Sequence, residues 1–329
     1  SDWSSDVCSS DLPHSYKVYT RIDDGGFDNG VVVYDNFCNV KLETGKIYSF
    51  KVTAINDGGE SFPSEILAAG IASGNAPRAL VVNKFDRICA PSFVDKDDFA
   101  GLAWWDDAGV PYKYDFSYVG NQYDFTRNSQ WLDDDSPGWG ASNADMEGTV
   151  IAGNTFDYAY THGKALMANG WSFASASDEA FEQPGFDVSE YKMVDVILGE
   201  QKTTHQQYDK SKVDFKIYTP SFMSKIGEAA SSGKNILLSG AYVGTDLVLE
   251  KDSAAIDFAA RVLHFKWRTN HASSKGVFKG VVSGFAGNYS YSNLPNDVIY
   301  CVESPDGIEP ADKSGNTIFR YGDNNVSAG

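Results

Sequence analysis

The chain has 329 residues, enough for roughly two domains. Hydrophobic residues make up 42% and aromatic residues 14% of it, which excludes wholesale disorder. A formal charge of −18 argues against nucleic acid or anionic membrane as a partner, because either needs a basic face.

Ser1 to Leu12 ends in Val-Cys-Ser-Ser-Asp-Leu, which looks like the translation of a sequencing adapter, and is set aside from fold reasoning. Its removal leaves a charge of −15 and three scattered cysteines, Cys38, Cys89 and Cys301. Their spacing fits neither a disulfide framework nor a zinc knuckle, so they read as buried free thiols. No run of 18 apolar residues occurs, so no membrane insertion is expected.

From Ser15 the pattern alternates with period two. Tyr16 to Tyr19, Val31 to Tyr34 and Ile47 to Asn56 read as strands, with a turn at Asp23-Asp24-Gly25-Gly26. Gly70 to Pro77 is small and flexible and reads as a linker, with the boundary placed at residues 73–78. Beyond it, Ala79 to Asn83 opens an α/β region over residues 79–329.

Asp97 to Ala108 is expected to be helical, and the Asp133-Asp134-Asp135 run with its Gly and Pro neighbours reads as a solvated loop whose spacing is not that of a calcium loop. Val150 to Thr155 repeats the theme of a strand and a small turn. A helix then runs from Tyr160 to Asn169, stopped by Gly170, before strands at Trp171 to Ser175 and Val194 to Leu198. Thr219 caps a helix that Gly233 ends.

Ile236 to Leu238 is expected to be a buried parallel strand running into Gly240-Ala241-Tyr242-Val243-Gly244. The Gly-x-x-x-Gly spacing is that of a nucleophile elbow, which would raise Tyr242 above the sheet. A helix is predicted over Asp252 to Lys266, with Ala255, Phe258, Ala259, Val262 and Phe265 on one face. Strand-like pieces follow at 277–282, 298–302 and 317–321, and the alternation stops in mid-pattern at Val326 to Gly329, so a further C-terminal segment is expected.

The βαβα alternation predicts a doubly wound, mostly parallel sheet. Polar residues then gather at four strand ends on one rim, where ligands bind in such sheets. Asn83, Asp86, Arg87, Asn154, Asp157, Gln201 and Ser239 are the candidate ligand-binding residues. If the site is catalytic, Glu200 or Asp246 would be its acid/base, Tyr242 a hydrogen-bond donor and His162 a further candidate. The five histidines form no recognisable zinc constellation, so neither a metal nor a cofactor is expected.

Three resemblances attach to these residues. Ile47-Tyr48-Ser49-Phe50-Lys51-Val52-Thr53-Ala54-Ile55-Asn56, with Gly59-Glu60-Ser61-Phe62-Pro63-Ser64-Glu65, resembles the later strands of a fibronectin type III module, so residues 13–72 are expected to be a truncated β-sandwich fragment acting as a spacer. Half a sandwich would leave an uncovered inner face and an unpaired edge. Gly240-Ala241-Tyr242-Val243-Gly244 looks like the elbow of class I glutamine amidotransferase domains, with Tyr242 where those enzymes carry cysteine. The order of all these motifs resembles the C-terminal half of secreted bacterial multidomain proteins of the xanthan lyase-like and N-acetylmuramoyl-L-alanine amidase groups, often with a golvesin-type domain. That resemblance implies export, a cell-wall setting and a polysaccharide or peptidoglycan partner, either for a hydrolase fragment or for a non-catalytic binding or scaffold module.

Overall fold

In the computed structural model, the described residues are 12–61, 63–85, 93–95, 100–102, 130, 157–199, 201–205, 211, 213–291, 302 and 305–329. The first elements are strands β1 (Ser15–Ile22), β2 (Val31–Val33), β3 (Ile47–Asn56), β4 (Gly59–Glu60), β5 (Leu67–Gly70), β6 (Arg78–Asn83), β7 (Phe93–Asp95) and β8 (Ala100–Leu102). Helix α1 (Tyr158–Ala168), β9 (Ser172–Ser177), α2 (Asp178–Phe181), β10 (Met193–Gly199), β11 (Thr204–His205) and β12 (Val213–Phe215) follow. Then come α3 (Pro220–Ser231), β13 (Asn235–Gly240), α4 (Thr245–Glu250), α5 (Ser253–Arg261) and β14 (Phe265–Thr269). The last strands are β15 (Val277–Gly280), β16 (Gly287–Ser290), β17 (Gly307–Pro310) and β18 (Phe319–Tyr321).

The main sheet is mixed and has nine strands, in the order β13-β10-β6-β9-β5-β3-β1-β2, with β4 beside β3. β6 and β9 pair in parallel, whereas β5 meets β9 antiparallel and β1, β2, β3 and β5 are antiparallel to their neighbours. Short antiparallel sheets complete the fold. Among the described residues no helix is long and apolar enough to cross a membrane.

Two compact units divide the chain: residues 1–83 with 154–195, and residues 84–153 with 196–329. The first runs straight through residues 73–78, because the edge of β5 is hydrogen-bonded to β9. Phe173 on β9 packs under both β5 and α1. A Cβ added at Gly163 would lie 2.1 Å from its ring, and one at Gly70 would lie 2.9 Å away, so both glycines are set by that ring.

Strand alternation gives β1 and β3 two unlike faces. Lys17, Tyr19 and Arg21 pair across with Thr53, Lys51 and Ser49, a polar row. Tyr16, Val18, Phe50 and Val52 lie on the opposite face and line an open cavity of about 580 Å³ with Val33 and Phe37. Residues of the 35–42 segment also line it, among them Val40 and Leu42, while Tyr34 and Phe37 are 80% and 66% exposed, so the cavity stays open.

In the second unit, Thr219 accepts the Phe222 N–H and Pro220 begins α3, as the sequence predicted. Phe222, Ile226 and Ala229 form its buried stripe, and the Tyr218, Phe222 and Phe258 rings meet at centroid distances of 6.3–6.4 Å.

Several elements differ from the sequence reading. α5 ends at Arg261: His264 takes a left-handed conformation at φ 58°, and Phe265 starts β14, whose backbone pairs with β17. Within the expected helix 97–108, residues 100–102 are strand β8, hydrogen-bonded to β7. β13 ends the sheet order and Leu237 is 47% exposed, so the apolar run there serves an edge rather than a fully buried centre. The aspartate run 133–135 and the strand pieces at 150–155 and 298–301 lie outside the described residues.

Candidate functional site

The strand and tight turn stand in the expected order, followed by the unforeseen short helix α4, but the turn's purpose is different. Residues 241–247 are all buried, and Tyr242 is 7% exposed. A nucleophile elbow holds its central residue in a strained conformation that projects into a crevice. Tyr242 does not adopt positive φ, and no glycine of the turn does either.

What closes the turn is a carboxylate from far along the chain. Asp306 accepts the N–H groups of Gly244 and Thr245 at 2.7 and 2.6 Å and the Thr245 hydroxyl at 2.5 Å. It thereby satisfies the first free donors of α4 and places a negative charge at the helix start. The Trp267 indole N–H donates to Thr245 Oγ1 at 3.2 Å, and the ring would stand 2.8 Å from a Cβ at Gly244. The Tyr218 hydroxyl donates to the Val243 carbonyl at 2.7 Å, and the Asp306 N–H to the Ala241 carbonyl at 2.9 Å.

Asp246 is also consumed locally. The Thr203 N–H and hydroxyl donate to its two oxygens at 2.7 and 3.0 Å. Burial pushes the carboxyls of both Asp246 and Asp306 above their ordinary values, against the opposing pull of these hydrogen bonds. Lys202 lies 4.6 Å from the centre of the Tyr242 ring, so the 201–203 segment folds over the phenol. Gln201 is buried and donates to the Lys202 carbonyl at 2.9 Å, while Ser239 makes a long 3.5 Å contact to the Val196 carbonyl. The structure therefore brings Tyr242, Asp246 and the 201–203 segment together in a closed joint.

In the first unit the candidates separate into two groups. Asp157 accepts from Arg21 at 2.8 Å; the same guanidinium bonds Ser49 at 2.8 Å and lies 4.7 Å from the Tyr160 ring. Tyr160 donates to Asp24 at 2.7 Å, and burial together with that bond pushes its hydroxyl up to about 12. Asp157 thus anchors α1 to β1. Asn83, 1% exposed, donates to the Ile66 carbonyl at 3.2 Å, and its Oδ1 has no partner among the described residues.

His162 has a more chemical setting. Its Nδ1 lies 2.7 Å from Asp195 Oδ2, with the His side chain 26% exposed and the Asp side chain 3% exposed. The contact holds the imidazole through Nδ1, so Nε2 is the ring nitrogen that Asp195 does not engage. Asp195 Oδ1 is buried with no partner among the described residues. The sequence carried a signal for Asp195, a lone acid inside the apolar Val194-Asp195-Val196-Ile197 run, where a buried charge requires a partner. Asp306 carried none, because its partners are some 60 residues away.

Asp86, Arg87, Asn154 and Glu200 lie outside the described residues, as do Cys89 and Cys301; Cys38 is exposed and free. Among the described residues no three His, Cys, Asp or Glu side chains converge as metal ligands would. No family model, curated protein or solved structure matches this chain.

Proposed function

We propose that this chain is a glycan- or peptide-binding α/β module of an exported cell-wall or polysaccharide-processing hydrolase, with a fibronectin-like spacer sheet and an amidotransferase-like elbow that performs no catalysis. The observation that carries the reading is the state of the elbow: Asp306, Thr203 and Tyr218 engage its polar groups and Tyr242 is buried. A phenol with an ordinary pKa near ~10 is a weak nucleophile even when exposed. The doubly wound assignment is supported by the order of the strands: β9, β6, β10 and β13 lie side by side, the second-first-third-fourth sequence of flavodoxin-like sheets. Export and the polysaccharide or peptidoglycan partner rest on the sequence resemblance alone.

A second reading has its own observation. The Asp195–His162 pair leaves an oriented imidazole Nε2, the arrangement of a general base. Incubating the chain with peptidoglycan and with acidic polysaccharide, while measuring both bound protein and released product, separates the two. The binding reading predicts retention without product, unchanged in Tyr242→Phe and His162→Gln. Product formation lost in His162→Gln but kept in Tyr242→Phe establishes the second reading instead.

A further inference from the structure

The polar row across β1 and β3 continues beyond the strands as a ladder of alternating cations and rings. Lys17 and Lys51 lie 4.8 and 5.4 Å from the centre of the Tyr19 ring, and Lys51 lies 4.6 Å from that of Phe27. Arg21 follows, 5.0 Å from Phe27 and 4.7 Å from Tyr160, and Lys164 ends the series 4.6 Å from Tyr160. Every step is within the ~6 Å reach of a cation–π contact. Carboxylates stand at both ends: Glu60 accepts from Thr53 at 2.7 Å and lies 3.7 Å from Lys17, while Asp24 accepts from Tyr160 at 2.7 Å and lies 3.8 Å from Lys164. The ladder's charges are therefore met by the chain's own rings and acids, which gives it a role in the fold.

Its last rungs, Tyr160 and Lys164, belong to α1, which also carries His162. At about 100° per residue, the buried Ala159, Gly163 and Leu166 form the base of the helix, with Tyr160 and Lys164 on one flank and His162 on the other. Gly163 stands directly on the Phe173 ring, where an added Cβ would come within 2.1 Å, so the helix has a pivot there and no side chain to stop it turning. A roll of about 20° carries a side-chain tip ~5–6 Å from the helix axis through roughly 2 Å. That is enough to break the 2.7 Å contact between His162 Nδ1 and Asp195.

Arg21 opposes such a roll from the far flank. Its guanidinium donates to Asp157, the residue preceding α1, and to Ser49 on β3, both at 2.8 Å, while it covers the Tyr160 ring. A planar fork can stack on rings and donate to two acceptors at once, which a lysine ammonium cannot do. The Arg21 side chain is only 12% exposed, so salt and water screen these contacts little. All of these residues belong to the first compact unit.

We infer that the ladder sets the roll of α1 and thereby holds His162 against Asp195, which makes Arg21 a positioning residue for that pair. The fibronectin-like sheet is then part of the histidine's setting as well as a spacer. The inference goes beyond the proposed binding function and stands whether or not His162 acts on a ligand.

The test is nuclear magnetic resonance of the full chain with its five histidines labelled, the His162 ring signals being assigned with His162→Gln. Asp195→Asn defines where those signals move when the contact is lost. Arg21→Gln is compared with Arg78→Gln, which breaks the exposed pair with Glu190 in the same unit, and thermal melts verify folding. The expected result is that Arg21→Gln moves the His162 signals by at least half the Asp195→Asn shift and in the same direction, that Arg78→Gln leaves them in place, and that adding Arg21→Gln to Asp195→Asn moves them no further. His162 signals that stay in place in folded Arg21→Gln overturn the inference. Equal movement of all five histidines, or full additivity in the double variant, overturns it too, because either means general loosening rather than positioning. Should Arg21→Gln fail to fold, Phe27→Leu, which removes one ring and keeps every charge, decides by the same criteria.

Discussion

Asp306 shows how a single carboxylate decides what a turn can do. Its oxygens hold two backbone N–H groups and one hydroxyl, all buried. Asp306→Ala strands those donors without solvent, and the expected loss is about 2–4 kcal/mol in a urea titration. Asp246 gives a pH signature. Its folded-state pKa is raised by burial, so its contribution to stability is fully present below the ordinary carboxylate value and is lost as pH rises through the folded value. Asp246→Asn lacks that dependence. The destabilisation caused by the substitution should therefore shrink between pH 4 and pH 7, roughly the range above an ordinary aspartate pKa, in paired denaturation curves. A cost that grows with pH would mean that the Thr203 hydrogen bonds outweigh burial.

At the scale of elements, local signals were legible where the cause is local. Thr219, Pro220 and Gly233 framed α3, and Gly170 ended α1 with φ at 78°. The end of α5 was not legible, because Val262 and Phe265 continue the apolar spacing and only the pairing of β14 with β17 draws Phe265 into a strand. The strand and turn of the elbow were legible, but α4 was not, and the burial of the turn depends on Trp267 and Asp306, contacts that local pattern does not encode. His162 was visible as a helix residue with chemical potential, whereas its partner Asp195 lay within a run read as an ordinary strand. Gly163 records another tertiary constraint: Gly163→Ala drives a methyl into the Phe173 ring. The expected cost is about 2–3 kcal/mol by thermal melt, and Phe173→Leu should recover part of it in the double variant.

At the scale of the molecule, the sheet joins what the sequence divided. β1, β2 and β3 were legible one by one from their alternation, but β5 was not, and its pairing with β9 is a long-range choice between edges. The same alternation turns Tyr16, Val18, Phe50 and Val52 to one face, where they line an open cavity with residues of the 33–42 segment. Function follows the same division between local and distant causes. Tyr242 and Asp246, expected to carry chemistry at the elbow, are engaged in holding the second unit together, whereas His162 in the first unit keeps a partly exposed ring beside Asp195.

The most direct test of the central claim, that the elbow is structural and the chain binds without cutting, is calorimetric titration with acidic polysaccharide followed by size analysis of the recovered glycan. The account predicts a saturable heat, glycan of unchanged length and the same isotherm for Tyr242→Phe. Shortened glycan with the wild type, abolished by Tyr242→Phe in a variant that still melts normally, would contradict it.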